Sequence, residues 1–435
     1  MTTRRNFIAG VGATAATAAL AACGSSSATT ASTPTADDTS PVTLRFAWWG
    51  NDVRNKNTAQ VIADYMKLHP NVTITGEPGV WASYWDKLST QVAGNNAPDI
   101  IQMDEQYIRD YSKKGILADL SKLPIDTTKF AKGLVATGTI DGKVTALCAG
   151  VNALSIVANP DLFKQAGVEI PDDKTWTWDK LQTVAAELTT KLGAGKYGIN
   201  GGIFGDSTAR AWMFQHGKSL FTDTGFGWEP ADMQSFLELM VKFAGAKATP
   251  SAAEQAQDFT TALAQQLFGT GKTAMGLTWS NQIAAQQAAT GKDLKILRLP
   301  SVDGTAKGAS LWYKSGQYQS ITAKSKNQVA AAKFLDYYFN NADAGKVMLA
   351  ERGLPPNTDI LAGIKGSLGN ADQKAATYMS DIAGDLHDAP VPPPPGASTF
   401  QAIMQRHVEN VLFGKATPAA AAKAMYDEAK AQIKS

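Results

Sequence analysis

Residues 42–49, with the sequence VTLRFAWW, are the stretch that decides the fold. The stretch alternates in polarity and is rich in strand-forming residues, which predicts a β-strand. Residues 57–68 follow with apolar side chains at helical spacing, and residues 71–75 then predict a second strand. A strand, a helix and a second strand in succession indicate an α/β sheet with helices on its faces.

The same alternation continues outward along the chain. Residues 84–93 predict a helix with one apolar face, and residues 99–103 predict a third strand. Further helices are predicted at residues 178–192, 231–243, 328–339 and 418–433. The proline-rich residues 390–395 are predicted to be extended and to lie outside any helix or central strand.

Length and charge limit the architecture and the partners. Single hydrophobic cores stop growing at roughly 250 to 300 residues, so a chain of 435 residues predicts two lobes. The chain has 41 Lys plus Arg against 39 Asp plus Glu, and without Arg4 and Arg5 of the first 22 residues the balance is 39 against 39. A neutral body indicates no nucleic-acid partner and no electrostatic attachment to an anionic bilayer.

The amino terminus carries an export signal. Residues 1–22 have a basic start, an apolar run and a small-residue end, as in a signal peptide. The pair Arg4-Arg5 is compatible with export by either the twin-arginine or the general secretory route. Residues 20–23, LAAC, resemble a lipobox, which predicts lipidation of Cys23. Residues 23–40 would form the lipidated cysteine and a flexible tether, anchoring the body to the outer face of the cell membrane.

Several motifs typical of enzymes fail on their context. Residues 193–198 match a dinucleotide fingerprint, but they follow a predicted helix where the motif needs a strand. The four histidines have no metal-ligand spacing, so we predict no metal and no cofactor. A pair of carboxylates for glycoside hydrolysis stays possible, because their separation is spatial.

Aromatic residues stand where ligand-binding loops are expected. Ligands bind outside the carboxyl ends of strands in open α/β sheets, and Trp49 ends the first predicted strand, before Asn51 and Arg54. Trp81 and Tyr84, at the start of the next predicted helix, are also predicted to face the ligand. Trp85 falls on the apolar face of that helix and is predicted to lie in the core.

Six segments, in this order, resemble the extracellular solute-binding proteins of carbohydrate ABC importers, the maltose-binding-protein-like group. They are TLRFAWWG (43–50), KLSTQ with APDIIQMD (87–91 and 97–104), GVNALSI with NPDLF (150–156 and 159–163), GKTAM (271–275), SITAKSKN (320–327) and RGLPPN (352–357). The resemblance implies a monomeric binding protein, not an enzyme, that delivers its ligand to an ABC permease.

The resemblance also implies a two-lobed periplasmic-binding-protein fold, with each lobe a sheet flanked by helices and a three-segment hinge between them. It places the crossings near residues 150–152, 275–279 and 321–323. Lobe 1 would then be residues 41–150 plus 277–322, and lobe 2 residues 151–276 plus 323–435.

Sugars present apolar C–H faces and a rim of hydroxyls, so their sites need flat aromatic rings and planar polar groups. We therefore expect a di- or trisaccharide site. Its predicted residues on lobe 1 are Trp49, Asn51, Arg54, Trp81, Tyr84, Asp104, Trp279 and Trp312, completed from the hinge and lobe 2 by Asn152, Trp212 and Arg352. The positions of Asp104 and Asn152 rest on the resemblance.

Two other functions fit parts of the same pattern. A secreted glycoside hydrolase would also present tryptophans to sugars, and the same scaffold binding an anionic solute would use a basic cleft. Arg54 and Arg352 would suit an anion, whereas Asp104 and the neutral body favour an uncharged sugar.

Overall fold

The computed structural model describes residues 40–131, 133–387 and 389–433. Its strands are β1 (Val42–Trp49), β2 (Val72–Gly79), β3 (Ile100–Met103), β4 (Thr139–Ile140), β5 (Lys143–Val144), β6 (Leu147–Asn152), β7 (Leu154–Ala158), β8 (Tyr197–Ile199), β9 (Thr273–Trp279), β10 (Lys295–Leu297) and β11 (Lys314–Ile321). The predicted signal peptide, Cys23 and, apart from Ser40, the predicted tether lie outside the described residues.

The α-helices are α1 (Asp52–Leu68), α2 (Trp81–Ala93), α3 (Glu105–Lys113), α4 (Pro160–Ala166), α5 (Trp178–Leu192), α6 (Asp206–Gln215), α7 (Pro230–Gly245), α8 (Ala252–Phe259), α9 (Ile283–Thr290), α10 (Gln328–Asn340), α11 (Ala342–Met348), α12 (Thr358–Ile364), α13 (Asn370–Asp381), α14 (Phe400–Leu412) and α15 (Pro418–Gln432). Among the described residues, no helix is both long and apolar enough to cross a membrane.

The first sheet has five strands in the order β2-β1-β3-β11-β6. β1 has the predicted bounds and runs parallel to β2 and β3, whereas β11 runs antiparallel to β3 and β6. α1 begins at Asp52, five residues before its predicted start, because the Asn51 side chain accepts a hydrogen bond of 2.8 Å from the backbone N–H of Arg54. This cap satisfies one of the free N–H groups at the helix start.

The second sheet has four strands in the order β10-β7-β9-β8, and β4 pairs with β5 in a separate hairpin. β9 is antiparallel to β7 and parallel to β8. The apolar faces of α5 and α7, which include Leu181 and Phe236, lie in the core cluster that also holds Ile156 and Met275 of this sheet. The predicted strand-and-helix alternation is therefore present in both sheets.

The chain passes from the first sheet to the second between β6 and β7, at Ala153, beside the predicted crossing near residues 150–152. The predicted crossing at residues 275–279 differs from the structure. There β9 pairs with β7 from Trp279 to Met275, so its ladder lies in the second sheet. The return comes later, in residues 298–313 between β10 and β11.

The third passage between the sheets comes later than its predicted position near residues 321–323. After β11, Phe334 and Leu335 of α10 pack in one cluster with Phe46 of the first sheet. Farther along, Ala375 of α13 packs against Val157 of the second sheet. Thus residues 323–348, assigned to lobe 2 by the resemblance, cover the first sheet, because the apolar face of α10 is buried there.

Candidate binding site

Two acidic side chains lie where β3 ends and α3 begins. The Asp104 carboxylate caps α3 by accepting a hydrogen bond of 3.0 Å from the backbone N–H of Gln106, and Glu105 is the first residue of the helix. The Asp104 and Glu105 side chains are 7% and 13% exposed. Carboxylates this far from water need hydrogen-bond or cationic partners.

Lys314 supplies one cation from the neighbouring strand. β11 extends beyond Met103 at the end of β3, which brings the Lys314 Nζ to 3.5 Å from Asp104 and 3.7 Å from Glu105. Burial lowers the pKa of Lys314, but the two carboxylates more than offset this, so that its pKa is raised. The ammonium therefore stays protonated at neutral pH.

Arg210 brings a second cation from the side of the second sheet. It lies on α6, is 5% exposed in its side chain, and places Nη1 3.0 Å from the Glu105 Oε1. A second ion pair of 2.8 Å joins Arg109 of α3 to Asp223, in the loop after α6. α3 follows β3 of the first sheet, and α6 follows β8 of the second sheet. Charged side chains therefore link helices that flank different sheets.

Two tryptophan rings lie against these cations. Trp279 ends β9 and Trp312 lies just before β11; their ring centroids are 6.4 Å apart at 74°. The Lys314 Nζ lies 4.6 Å from the Trp279 centroid, and the Arg210 Cζ lies 5.9 Å from the Trp312 centroid, within cation–π range. We call these six residues the central cluster: Asp104, Glu105, Arg210, Lys314, Trp279 and Trp312.

The environment of the Asp104 carboxyl changes its protonation. Burial raises its pKa, the Lys314 ammonium opposes that rise, and the Glu105 carboxylate adds to it. A carboxyl in this balance can accept hydrogen bonds when ionised and donate one when protonated. The Trp312 Nε1 is also buried and has no partner among the described residues.

The structure thus brings three predicted site residues together: Asp104, Trp279 and Trp312. Sequence reasoning missed the other three members of the cluster. Glu105 directly follows Asp104, and Lys314 lies two residues after Trp312, on the same side of an extended chain, so both had a local signal. Arg210 had none, because it meets the cluster only through the packing of α6.

A second aromatic group surrounds the start of α2. The Trp49 ring packs edge-on against Trp81 and Tyr84, with centroids 5.1 Å away in both cases. Trp81 is 36% exposed, whereas Trp49 and Tyr84 are buried. Trp85, predicted to lie in the core, is buried and stacks on Tyr107 at 3.6 Å. Only Trp81 of this group presents substantial ring surface to solvent.

The other predicted polar residues are hydrogen-bonded to neighbouring groups. Glu351 forms an ion pair of 2.7 Å with Arg54 and accepts a hydrogen bond of 2.9 Å from the Asn51 amide, both predicted on lobe 1. The Asn152 amide, predicted in the hinge, donates to the backbone carbonyl of Arg352 at 3.1 Å. Asn51, Arg54, Asn152 and Arg352 are not members of the central cluster.

Trp212 lies two residues after Arg210 and therefore faces another side of α6. Its Nε1 donates to the Ser235 Oγ at 3.0 Å, and its ring packs edge-on against Trp178 at 5.9 Å. Trp212 is thus engaged with the core of the second sheet.

Comparison with known proteins identifies relatives of this chain. An uncharacterized lipoprotein of Streptomyces antibioticus is 32% identical over 173 residues, which is 38% of this chain and 37% of that protein. The diacetylchitobiose-binding protein of Streptomyces coelicolor is 26% identical over 358 residues, 80% of each chain. A periplasmic oligogalacturonide-binding protein from Yersinia enterocolitica, solved with saturated digalacturonic acid, has a TM-score of 0.80 at 20% identity, covering 90% of this chain and 100% of that one.

The structural likeness confirms the predicted two-lobed α/β fold of periplasmic binding proteins. The family model of bacterial extracellular solute-binding proteins matches residues 60–377, more than half of the chain. The chain therefore belongs to the bacterial extracellular solute-binding proteins, an exported family that binds solutes rather than transforming them, as the resemblance predicts.

Proposed function

We propose that this protein captures an oligosaccharide of two or three sugar units at the central cluster and delivers it to the membrane permease of an ABC importer. The observation that carries this proposal is the convergence of two tryptophan rings, Trp279 and Trp312, on charged side chains from both sheets. In a sugar site, flat aromatic rings contact the apolar C–H faces of the sugar, and charged planar groups hydrogen-bond its hydroxyls.

The chemistry of each group follows from its position. A sugar ring stacked on Trp279 would take the place of the Lys314 ammonium against that face. Removing roughly 80 Å² of apolar surface from water at one such contact contributes about 2 kcal/mol. The Asp104 and Glu105 carboxylates would accept hydroxyl hydrogen bonds, and the Arg210 guanidinium would donate to hydroxyl oxygens, both as charge-assisted hydrogen bonds.

The printed function of the Streptomyces coelicolor relative, diacetylchitobiose binding, supports a sugar ligand. That relative matches along 80% of this chain, so the likeness extends over both sheets. Diacetylchitobiose is a neutral disaccharide, which agrees in size and charge with the ligand proposed for this chain.

Ligand binding would close the hinge. A sugar that touches Glu105 on α3 and Arg210 on α6 binds the closed form better than an open one, and this difference in affinity drives closure. Moving a two-state equilibrium from 1:99 to 99:1 requires about 5.5 kcal/mol. A stacking contact on Trp279 and a few charge-assisted hydrogen bonds supply free energy of that order.

The remaining predicted site residues would act around this centre. Trp81 would offer its exposed ring to an outer sugar unit, because it lies 6.4 Å from Tyr107, one turn after Asp104 on α3. The buried or paired side chains would hold the loops and the hinge in place; they are Trp49, Asn51, Arg54, Tyr84, Asn152, Trp212 and Arg352.

The body would be held at the outer face of the cell membrane as a monomer by lipidation of Cys23, after removal of residues 1–22. The Streptomyces antibioticus relative, named a lipoprotein, supports this anchor. Labelling with a fatty-acid analogue in the host tests it: the native chain becomes labelled, and Cys23→Ser abolishes the label. A labelled Cys23→Ser variant would contradict the proposal.

The ligand is tested by a thermal-shift screen of neutral di- and trisaccharides, followed by calorimetric titration. A ligand at 100 times its Kd stabilises the protein by about 2.7 kcal/mol. Trp279→Ala should weaken binding by roughly 10- to 30-fold, as about 2 kcal/mol of lost stacking implies. Trp312 is buried at 1% exposed and packs against Arg210, so Trp312→Ala should weaken binding by removing the support of that guanidinium. Trp228→Phe is the matched control, because that ring packs away from the cluster against Phe400 and Tyr426.

Three outcomes would contradict the proposed function. If no sugar in the screen raises the unfolding temperature, the ligand is not a sugar of this class. If the two tryptophan variants bind as tightly as Trp228→Phe, the site lies elsewhere. If the recovered ligand is cleaved, the protein is a hydrolase.

A further inference from the structure

A buried cationic group lies away from the central cluster, under the first sheet. The Arg352 side chain follows α11 and is one of the largest fully buried side chains. Its Nε donates to the Gln102 Oε1 at 3.2 Å, and its Nη1 donates to the Thr58 Oγ1 at 3.1 Å. Its Nη2, also buried, has no partner among the described residues.

Among the described residues, no carboxylate forms an ion pair with this guanidinium. The nearest acid in sequence, Glu351, already holds Arg54 through one oxygen at 2.7 Å and the Asn51 amide through the other at 2.9 Å. Burial lowers the pKa of Arg352 and the positive charge of Arg54 adds to this, whereas Tyr338 and the more distant charge of Glu351 offset only part of it. Arginine nevertheless stays charged in proteins, so two guanidinium groups share one carboxylate. A buried charge without a counter-charge is costly.

Further polar groups with unused hydrogen-bonding capacity lie next to Arg352. Gln319 is opposite Gln102 in the β3–β11 ladder and is fully buried; neither atom of its side-chain amide has a partner among the described residues. The Arg352 Cζ lies 5.9 Å from the ring centroid of Tyr338 on α10. Burial raises the pKa of the Tyr338 phenol, and Arg352 and the Gln319 amide both oppose that rise, which places both beside the phenol.

We propose that a small monovalent anion of the halide class binds here, held by the Arg352 Nη2, the Gln319 amide N–H and the Tyr338 hydroxyl. An anion supplies both an acceptor for the Arg352 Nη2 and the Gln319 amide, which have none among the described residues, and the missing negative charge, whereas a water molecule supplies only the acceptor. The site does not depend on the identity of the transported ligand.

The position gives the anion a structural role. The backbone carbonyl of Arg352 accepts from Asn152, in the first passage between the sheets, and that of Glu351 accepts from Asn281, just after β9. The side chain of Arg352 meanwhile reaches Gln102 in the first sheet. An anion bound to Arg352 would therefore stabilise the segment that joins the two sheets.

Chloride and bromide are the probes. The thermal unfolding midpoint of the purified protein, measured at fixed ionic strength, should be a few degrees higher in sodium chloride than in sodium gluconate, because gluconate is a large organic anion and the proposed ligand is a monatomic halide. Crystals soaked in bromide should show an anomalous peak within hydrogen-bonding distance of the Arg352 Nη2. Equal midpoints in the two salts, or a water molecule without anomalous signal at this position, would overturn the proposal.

Variants separate the site from general salt effects. Gln319→Leu removes the amide donor but keeps an apolar shape of similar size, and it should lose the chloride dependence while folding normally. Lys346→Gln, which removes an exposed cation on α11, should retain it. Arg352→Met should also lose the dependence, and if that variant does not fold, Gln319→Leu alone decides. A chloride response that persists in Gln319→Leu would contradict the assignment.

Discussion

The ion pair between Arg210 and Glu105 should couple closure of the site to ligand binding. The pair joins α6 to α3 with 3.0 Å between nitrogen and oxygen, and the two side chains are only 5% and 13% exposed. The perturbation is a double-mutant cycle of Arg210→Met and Glu105→Gln. Methionine keeps most of the aliphatic length of arginine, and glutamine keeps the shape of glutamate, so that mainly the charges are removed.

The magnitude follows from this geometry. At 3.0 Å and an effective dielectric constant of roughly 20, the attraction is about 5 to 6 kcal/mol. Desolvating two nearly buried ions consumes several kcal/mol of this. A net coupling of about 2 kcal/mol remains, which corresponds to roughly 30-fold in affinity. Lys314 also contacts Glu105. Glu105→Gln loses that contact with or without Arg210, so its contribution to the free energy of binding cancels in the coupling energy of the cycle.

The assay is calorimetric titration of the four proteins with a sugar from the screen. Each single variant should bind 10- to 100-fold more weakly, as expected for breaking a buried charge pair, and the double variant should bind only slightly more weakly than either one. A coupling energy below about 0.5 kcal/mol, typical of independent sites, would refute the proposal that this pair couples closure of the site to ligand binding.

Three further perturbations give distinct outcomes. Gly150→Ala should lower the free energy of unfolding, measured by chemical denaturation, by about 1 to 3 kcal/mol, because the new Cβ would lie 2.2 Å from the Arg352 carbonyl oxygen. Gly366→Ala is the control. Its Cβ would meet no atom within 4 Å, so the free energy of unfolding should hardly change. Burial raises the pKa of the Cys148 thiol from 9.0 to about 11, so stability should fall as pH rises from 9 to 11, where only the unfolded thiol ionises. The loss should be about 3 kcal/mol, and an equal loss in Cys148→Ala would exclude this cause. Tyr84→Phe should lower the free energy of unfolding by about 1 to 2 kcal/mol, because it removes the hydrogen bond of 2.7 Å that the phenol donates to the Gln102 carbonyl. The same variant should leave sugar affinity unchanged. Weakened sugar binding would place Tyr84 at the ligand instead.

Local sequence patterns predicted the elements of this fold well. The alternation in residues 42–49 gave β1 its correct bounds, and the periodicity of residues 178–192 did the same for α5. The predicted start of α1 at residue 57 is too late because residues 52–56 are mostly polar and carry no apolar periodicity; the signal there is Asn51, a preferred helix cap.

Long-range pairing was harder to predict. The residues of β9 are compatible with either sheet. Backbone hydrogen bonds with β7 place β9 in the second sheet, and no local sequence pattern encodes that pairing. The same limit applied to the site. Asp104 and Trp279 follow strand ends, where ligands are expected, whereas Arg210 reaches Glu105 only because α6 packs across from α3.

A crystal structure of the protein with a sugar from the screen tests the central proposal most directly. We expect one sugar ring stacked on Trp279, with hydroxyl groups hydrogen-bonded to Asp104 or Glu105 and to Arg210. An intact sugar bound elsewhere, with the central cluster unchanged from the present structure, would contradict the proposed site.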